Sequence, residues 1–423
     1  MGAGEPTASD TAAPTPVVDI KLPMDADERR MLADALLRHV KNGSTDLAPS
    51  VVALDPDEYR NEELAQQERA RIFGRFPLIV AHSAELPKAN DFITIALPNN
   101  DVIVIRQRDG GVRAFVNACR HRGAKLTSSD SGSRPVITCI YHGWAYGPDG
   151  RLRAIADEDT FGEVDRSCLN LVELPAEERH GLIWLIDDPS ASIDVKSWLG
   201  QQMDDSLNGL ELDHYVCFRK QGIDEPINWK VLTDAFVDNY HIKTTHKRTV
   251  APYFHNNTVI FTPMGQHFRT VAPKISIDSL SLSEAASKIG DHIAVGYFVM
   301  PNVMLIRQPD HLELLTFFAD RSLAGRCRME IRILIPKNAM QDALLPRWER
   351  NWDIIMAVLR DEDLGLNRDL QRSIQSQNIA GLVLGRNEIA NQHFHTELSK
   401  AMRDDVYRER ASARESINSH RVG

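Results

Sequence analysis

The chain has 423 residues, of which 43% are hydrophobic and 26% charged, and its formal net charge is −10. That length leaves room for two or three domains and a sizeable core. The acidic balance excludes a general nucleic-acid binder, which needs a basic surface excess, and no apolar run is long enough to span a bilayer.

The first sixteen residues are rich in Ala, Thr and Pro. They lack a basic segment followed by an apolar one, so residues 1–22 are expected to be a disordered lead-in rather than a secretory signal. From Asp25 to Lys41, the residues Met31, Leu32, Ala35, Leu36 and Val40 recur at helical spacing. A second helix is expected over Asp57 to Phe73, opened by Asp55-Pro56-Asp57-Glu58. These helices, within residues 23–74, are expected to pack on the last domain.

From Leu78 the texture turns to short β-type runs: Leu78-Ile79-Val80, Phe92-Ile93-Thr94-Ile95, Val102-Ile103-Val104-Ile105 and Ile183-Trp184-Leu185-Ile186. Turns at Asn99-Asn100 and Asp109-Gly110-Gly111 separate them. Residues 75–188 therefore read as a small all-β domain. Residues 189–423 read as a larger domain: a helical stretch near Trp229 to Thr245, strands up to about Pro336, then long helices over Gln341 to Ser376, with a break, and Asn387 to Arg410. No internal repeat is present.

The five cysteines, Cys119, Cys139, Cys168, Cys217 and Cys327, are too few and odd in number for a disulfide framework. A reducing, cytoplasmic setting is expected. Two of them belong to a pattern. Cys119-x-His121 is followed, after seventeen residues, by Cys139-x-x-His142. A structural zinc ion uses the same ligand types. A Rieske [2Fe–2S] cluster also uses two cysteines and two histidines, with both histidines on one iron. Zinc knuckles open with paired cysteines or close with paired histidines. Here each half supplies one of each, and Gly123 and Gly143 let backbone amides approach the sulfurs, so the spacing favours the cluster.

A second constellation runs Asn228-Trp229-Lys230 to Asp238-x-x-His241 and His246. Asp238 and His241, three apart, would share one face of a helix. His241 and His246 are offset by roughly 140° on a regular helix. They can meet at one metal only if the helix ends or bulges, for which Thr244-Thr245 is a plausible place. Two histidines and a carboxylate make a facial triad that holds Fe(II) with open positions.

Together these stretches resemble the Rieske non-haem iron ring-hydroxylating oxygenases, in their terminal oxygenase or alpha subunit. The resemblance is carried by Cys119 to Gly123, by Cys139 through Tyr146 and by Pro148-Asp149-Gly150-Arg151-Leu152. It implies an α+β chain: a Rieske all-β domain joined to a helix-grip catalytic domain, an antiparallel sheet around long helices. It implies Cys119, His121, Cys139 and His142 as cluster ligands. The stretch Glu362-Asp363 to Gln371 resembles the family's C-terminal motif and implies Asp363 as the third iron ligand beside His241 and His246; Asp361 and Asp369 are the fallbacks. Asp238 is implied as a bridge between His241 and His142 of a neighbouring subunit, which requires a head-to-tail ring, expected to be a homotrimer.

One departure from many relatives is Thr233-Asp234 in place of Glu-Asn, which puts a second carboxylate near the iron. Asp234 either contacts substrate or hydrogen-bonds within the helix. Phe236, Val237, Phe298, Met300, Met304 and Leu305, with Asn302, are the other expected pocket residues, giving an apolar cavity suited to an aromatic or hydrophobic small molecule. The resemblance further implies electrons from NAD(P)H, delivered by a separate reductase with or without a ferredoxin, and O₂ as co-substrate; a beta subunit is compatible but not implied. Arg120, Arg122 and Lys125 would receive an acidic donor. The competing expectations are an N- or O-demethylase acting on a non-aromatic substrate such as a quaternary amine, and a Rieske electron carrier without oxygenase activity. A zinc-bound binding module is a third.

Overall fold

The computed structural model describes residues 18, 20–376 and 378–403. The expected lead-in and the expected end of the last helix at Arg410 lie almost wholly outside the described residues. The first helix, Ala26–Asn42, starts where Asp25 accepts a hydrogen bond from the Glu28 amide at 2.8 Å and stops at Gly43, in the left-handed region at φ 57°. The single helix expected from Asp57 to Phe73 is three pieces: Asp57–Arg60, Glu62–Glu68 and a π-helical turn over Arg69–Phe73. Asn61, in extended conformation, ends the first piece and caps the second, a role its short amide fits better than a helix interior.

The β-rich half contains three antiparallel sheets. A five-stranded sheet runs Glu173–Leu174, Val112–Val116, Asp101–Arg106, Asp91–Ala96, Ser131–Ser133. Beside it, Ile137–Thr138, Ala145–Tyr146 and Leu152–Ala154 form a small three-stranded sheet. A separate small core of Phe92, Phe115, Trp144, Tyr146 and Leu152 encloses Cys119 and Cys139.

The larger half is built on a seven-stranded antiparallel sheet. Its strands from Ile260–Met264 to Cys327–Pro336 follow one another as a meander, and Tyr215–Glu225 pairs with the last of them. Ile293–Val299 is buried along its whole length, because both faces of the sheet are covered. Alternate residues go to different cores, as strand pleating requires. Phe298 joins the core containing Trp229, Leu232 and Phe394. Tyr297 and Val299 join the core containing Leu32, Leu36 and Leu207. The first of these faces carries the Trp229–Val237 helix and so positions the second constellation.

Candidate metal centres

The two Cys–His loops are near copies. The Gly123 amide donates to the Cys119 carbonyl at 2.9 Å, and the Gly143 amide to the Cys139 carbonyl at 3.0 Å. Both glycines have positive φ, 75° and 71°, which a side chain would strain. Both thiols are buried. Burial, together with the Cys139 thiol beside it, holds the Cys119 thiol above its ordinary range. The Tyr146 hydroxyl accepts from the Arg120 amide at 3.0 Å, so its own hydrogen is free for the Cys119 sulfur at 3.4 Å. The His121 and His142 rings lie 4.7 Å apart, and His121 stacks on Trp144 at 5.0 Å. In both rings Nδ1 is buried without a hydrogen-bond partner, an arrangement that costs free energy unless something else binds there.

The donor pairs therefore lie thiol beside thiol and ring beside ring. Tetrahedral zinc would bring all four donors within roughly 4 Å of one another. Among the described residues, the one group of three or more such donors within 4.8 Å of one another is His241, His246 and Asp363. The four Cys–His donors thus do not converge on one ion, which disfavours the zinc reading. A two-iron cluster, with sulfurs on one iron and imidazoles on the other, fits them.

At the second centre the polypeptide departs from the expected continuous helix. The Trp229–Val237 helix ends at Asp238, which is extended at φ −85°, ψ 131°. A single turn, Ile242–Thr245, follows, with His241 at its start and His246 just past its end. That turn thus ends after Thr244-Thr245, where the two-histidine argument needed it to. Asp238 and His241, however, are not on one helix face. Asp238 accepts from the Tyr240 amide at 2.5 Å and from the His241 ring Nδ1 at 3.1 Å, a tight turn closed by its own carboxylate.

The two rings meet at Nε2, 3.0 Å apart. Asp363 Oδ1 lies 3.3 Å from Nε2 of His246 and 3.8 Å from that of His241. Asp363 closes a π-helical turn, Val358–Asp363, that continues into the helix Leu364–Ile374; such turns recur at functional sites. Asp361 and Asp369 are exposed and lie outside the group. Each histidine has its own carboxylate on Nδ1: Asp238 for His241, and Glu362 for His246 at 2.8 Å. Thr249 holds that Glu362 oxygen at 2.6 Å. Burial lowers the His241 pKa, but the Asp238 hydrogen bond and the charges of Asp238 and Asp363 together outweigh it and the net shift is up. Burial also raises the Asp363 carboxyl, against the pull of both histidines. Two facing imidazole nitrogens and a buried carboxylate suit a cation better than they suit each other.

The motifs that frame this site are tied together. The Asn228 amide donates to Gln371 Oε1 at 2.8 Å, and the Asn228 side chain donates to the carbonyls of Tyr59 and Ala324. Buried Lys230 pairs with buried Glu68, which also accepts from Trp229 Nε1 at 3.0 Å.

Residues 76–168 match the Rieske [2Fe-2S] domain family, and residues 212–404 match the ring hydroxylating alpha subunit (catalytic domain) family. The chain belongs to the Rieske ring-hydroxylating oxygenases. It is 36% identical over 197 residues to the biphenyl 2,3-dioxygenase subunit alpha of Rhodococcus jostii (strain RHA1), covering 45% of this chain and 43% of that one. It is 34% identical over 216 residues to the naphthalene 1,2-dioxygenase large oxygenase component of a Ralstonia species, covering 48% and 46%. The matched stretch thus spans less than half the length of these curated relatives. Among solved structures it resembles a quaternary ammonium Rieske monooxygenase in complex with an inhibitor (TM-score 0.73, 23% identity, 84% of this chain and 96% of that one). It also resembles naphthalene 1,2-dioxygenase from Rhodococcus sp. bound to indole (TM-score 0.69, 19% identity, 91% and 100%). At these identities the likeness is one of fold: a Rieske domain joined to a catalytic domain. A Rieske cluster and a mononuclear iron are the groups these two family domains call for, and both donor sets fit them.

A cavity of ≈ 320 Å³ touches the second centre through His241 and Asp363. Of the residues expected to line a pocket, only Asp234 lines this one. Val237, Phe298, Met300 and Met304 are buried in the main core and Phe236 packs against it; Leu305 is in the core of the opposite sheet face. Asn302 is buried and points its amide at the Ile79 carbonyl, 3.4 Å away. Strand residues near a site face it only on alternate positions, and these side chains are taken up by packing rather than by the wall of this cavity. The actual walls include Leu54, Val231, Leu370 and Leu384, contributed by segments far apart in sequence.

Asp234 is fully engaged. It accepts from the Tyr59 hydroxyl at 2.7 Å, from His395 Nε2 at 3.0 Å and from the Asn391 amide at 3.2 Å. His395 Nδ1 faces Glu58 at 3.3 Å. Burial lowers the His395 pKa, but the charges and hydrogen bonds of Asp234 and Glu58 together outweigh it, and the group is raised to about 9. Sequence reasoning missed Glu362, Tyr59, Asn391 and His395. Glu362 stood beside Asp363 in a quoted motif; the other three carry no local signal.

Proposed function

We propose that this chain is the terminal oxygenase of a multicomponent system that inserts oxygen from O₂ into a hydrophobic or aromatic small molecule. In this reading Cys119, His121, Cys139 and His142 hold the [2Fe–2S] cluster, and His241, His246 and Asp363 hold Fe(II). The observation that carries it is the convergence of His241, His246 and Asp363, with each imidazole backed by a separate carboxylate. When bound, the cluster supplies single electrons and the iron supplies the site where O₂ is activated.

The protein's own residues orient and insulate. Asp238 and Glu362 fix each ring with Nδ1 protonated, which leaves Nε2 as a lone pair aimed at the common point. The apolar wall of Leu54, Val231 and Leu384 keeps water scarce around a reactive centre. Asp238 is the proposed link to His142 of a second copy, in a head-to-tail homotrimer. Ile140 and Tyr141, beside His142, are 90% and 54% exposed, which suits a docking face. Electrons would come from NAD(P)H through a separate reductase, with or without a ferredoxin. No helix among the described residues is long and apolar enough to cross a membrane.

The test is product formation. Purified protein with a surrogate reductase, NADH and a panel of aromatic substrates is followed by O₂ uptake and mass spectrometry. The proposal stands on an oxygenated or dealkylated product and falls if protein loaded with cluster and iron gives none across the panel.

A further inference from the structure

Resting on the reading that the cavity beside His241 and Asp363 receives the substrate, we infer that this cavity selects a molecule with a protonated amine, its N–H groups held by Glu388 and Asn391 at the start of the Ile389–Met402 helix.

Four carboxylates line the cavity: Asp234, Asp238, Asp363 and Glu388. Asp363 belongs to the metal-binding group, Asp238 is turned to His241, and Asp234 is saturated by three donors. Of the four carboxylates, that leaves Glu388. Glu388, the residue preceding the helix, accepts from the Gly385 amide and has no cationic partner among the described residues. Burial raises its carboxyl, the Gly385 hydrogen bond opposes this, and the charges of Asp238 and Asp234 raise it further. A cation placed there would relieve that repulsion.

Asn391 supplies the second, independent observation. It is 2% exposed, and its Oδ1 is buried with no hydrogen-bond partner. The orientation of the amide is fixed by its neighbour: Nδ2 donates to the Asp234 carbonyl at 3.0 Å and carboxylate at 3.2 Å, and an oxygen turned that way would face two acceptors. Oδ1 is therefore the free end, on a residue that lines the cavity. A buried acceptor of this kind is costly to leave unpaired. Glu388 at the N-cap and Asn391 in the first turn are three residues apart, and both line the cavity. The apolar wall of Leu54, Leu370 and Leu384 would take the hydrocarbon part.

The experiment compares benzylammonium with its neutral isostere ethylbenzene, by calorimetric titration into protein whose iron and acid-labile sulfide have been counted. Benzylammonium is expected to bind about tenfold more tightly or better. Benzyltrimethylammonium, which keeps the charge and lacks the N–H, is expected to lose most of that advantage. Glu388→Gln and Asn391→Leu should each pull the ammonium toward parity with ethylbenzene while ethylbenzene itself changes little. Parity of the first two ligands in the wild-type protein overturns the inference, whatever the variants do. So does binding of the trimethylated ligand as tight as that of benzylammonium. Either result leaves the oxygenase reading standing, because that reading fails on a different measurement: absence of the iron or of any oxygenated product.

Discussion

The carboxylate of Glu362 holds His246 Nδ1 at 2.8 Å, which leaves that ring's Nε2 for Asp363 and His241. Glu362 does for His246 what Asp238 does for His241, yet the two carboxylates come from opposite ends of the catalytic domain sequence. Outer carboxylates of this kind commonly change metal affinity by about 10–100-fold. Glu362→Gln should therefore weaken iron binding by about that factor and leave the cluster intact. Iron titration monitored beside the cluster's visible absorption checks it; unchanged iron affinity would refute the role.

Asp363→Ala should remove the mononuclear iron and keep the cluster. Total iron per chain should fall by one third, with acid-labile sulfide unchanged. Asp361→Ala and Asp369→Ala, both on exposed positions, should keep full iron content.

Asp238→Ala should weaken iron binding as Glu362→Gln does and, with iron supplied in excess so that both sites are loaded, still slow turnover sharply, because the proposed link between subunits is gone. Pre-steady-state oxidation of the reduced cluster in the presence of substrate and O₂ reports the step directly. Wild-type rates in a fully loaded Asp238→Ala protein would sink the bridge.

Two buried histidines predict how stability depends on pH. His395 is raised to about 9, where burial is outweighed by Asp234 and Glu58 together; His311 is raised to about 9, where burial is outweighed by Asp310 and Glu313. A folded-state pKa above the unfolded value means the contribution is complete below the unfolded pKa of about 6.5. It is lost as pH rises through about 9. Tm should thus fall by several degrees from pH 6 to pH 9. A His395→Gln/His311→Gln protein should start lower and show a flatter dependence. A wild-type Tm that is flat or rises over this range would contradict the assignment.

Lys230→Ala leaves the Glu68 carboxylate, 2% exposed, without its cation. Breaking one side of a buried pair typically costs about 3–5 kcal/mol. Urea unfolding should show a loss of that order, and Lys230→Ala/Glu68→Gln should recover part of it.

Much of the site was legible because its ligands sit in short local motifs. Cys119-x-His121 and Cys139-x-x-His142 each fit one tight loop, so spacing alone carried the chemistry. His241 and His246 could be paired because helical geometry demanded a break; the main helix breaks earlier, at Asp238, and the single turn between the histidines ends after Thr244-Thr245. The walls of the cavity beside His241 and Asp363 carried no local signal. Phe298, Met300 and Met304 are apolar and near the site in sequence, but apolar character does not distinguish a wall from a core.

The sequence by itself determined the two motifs that carry the candidate ligands, the β-rich and mixed halves, and the acidic balance of the chain. These follow from residue type at short range. Tertiary structure alone decided that Asp363 rather than Asp361 reaches the histidines, that Glu362 orients His246, and that Asp234 is bound to Tyr59 and His395 from the two far ends of the described chain. The physical reason is that hydrogen-bond partners are chosen by proximity after packing. A carboxylate cannot announce its partner until the sheet, the broken helix and the two ends of the chain have been brought to one place.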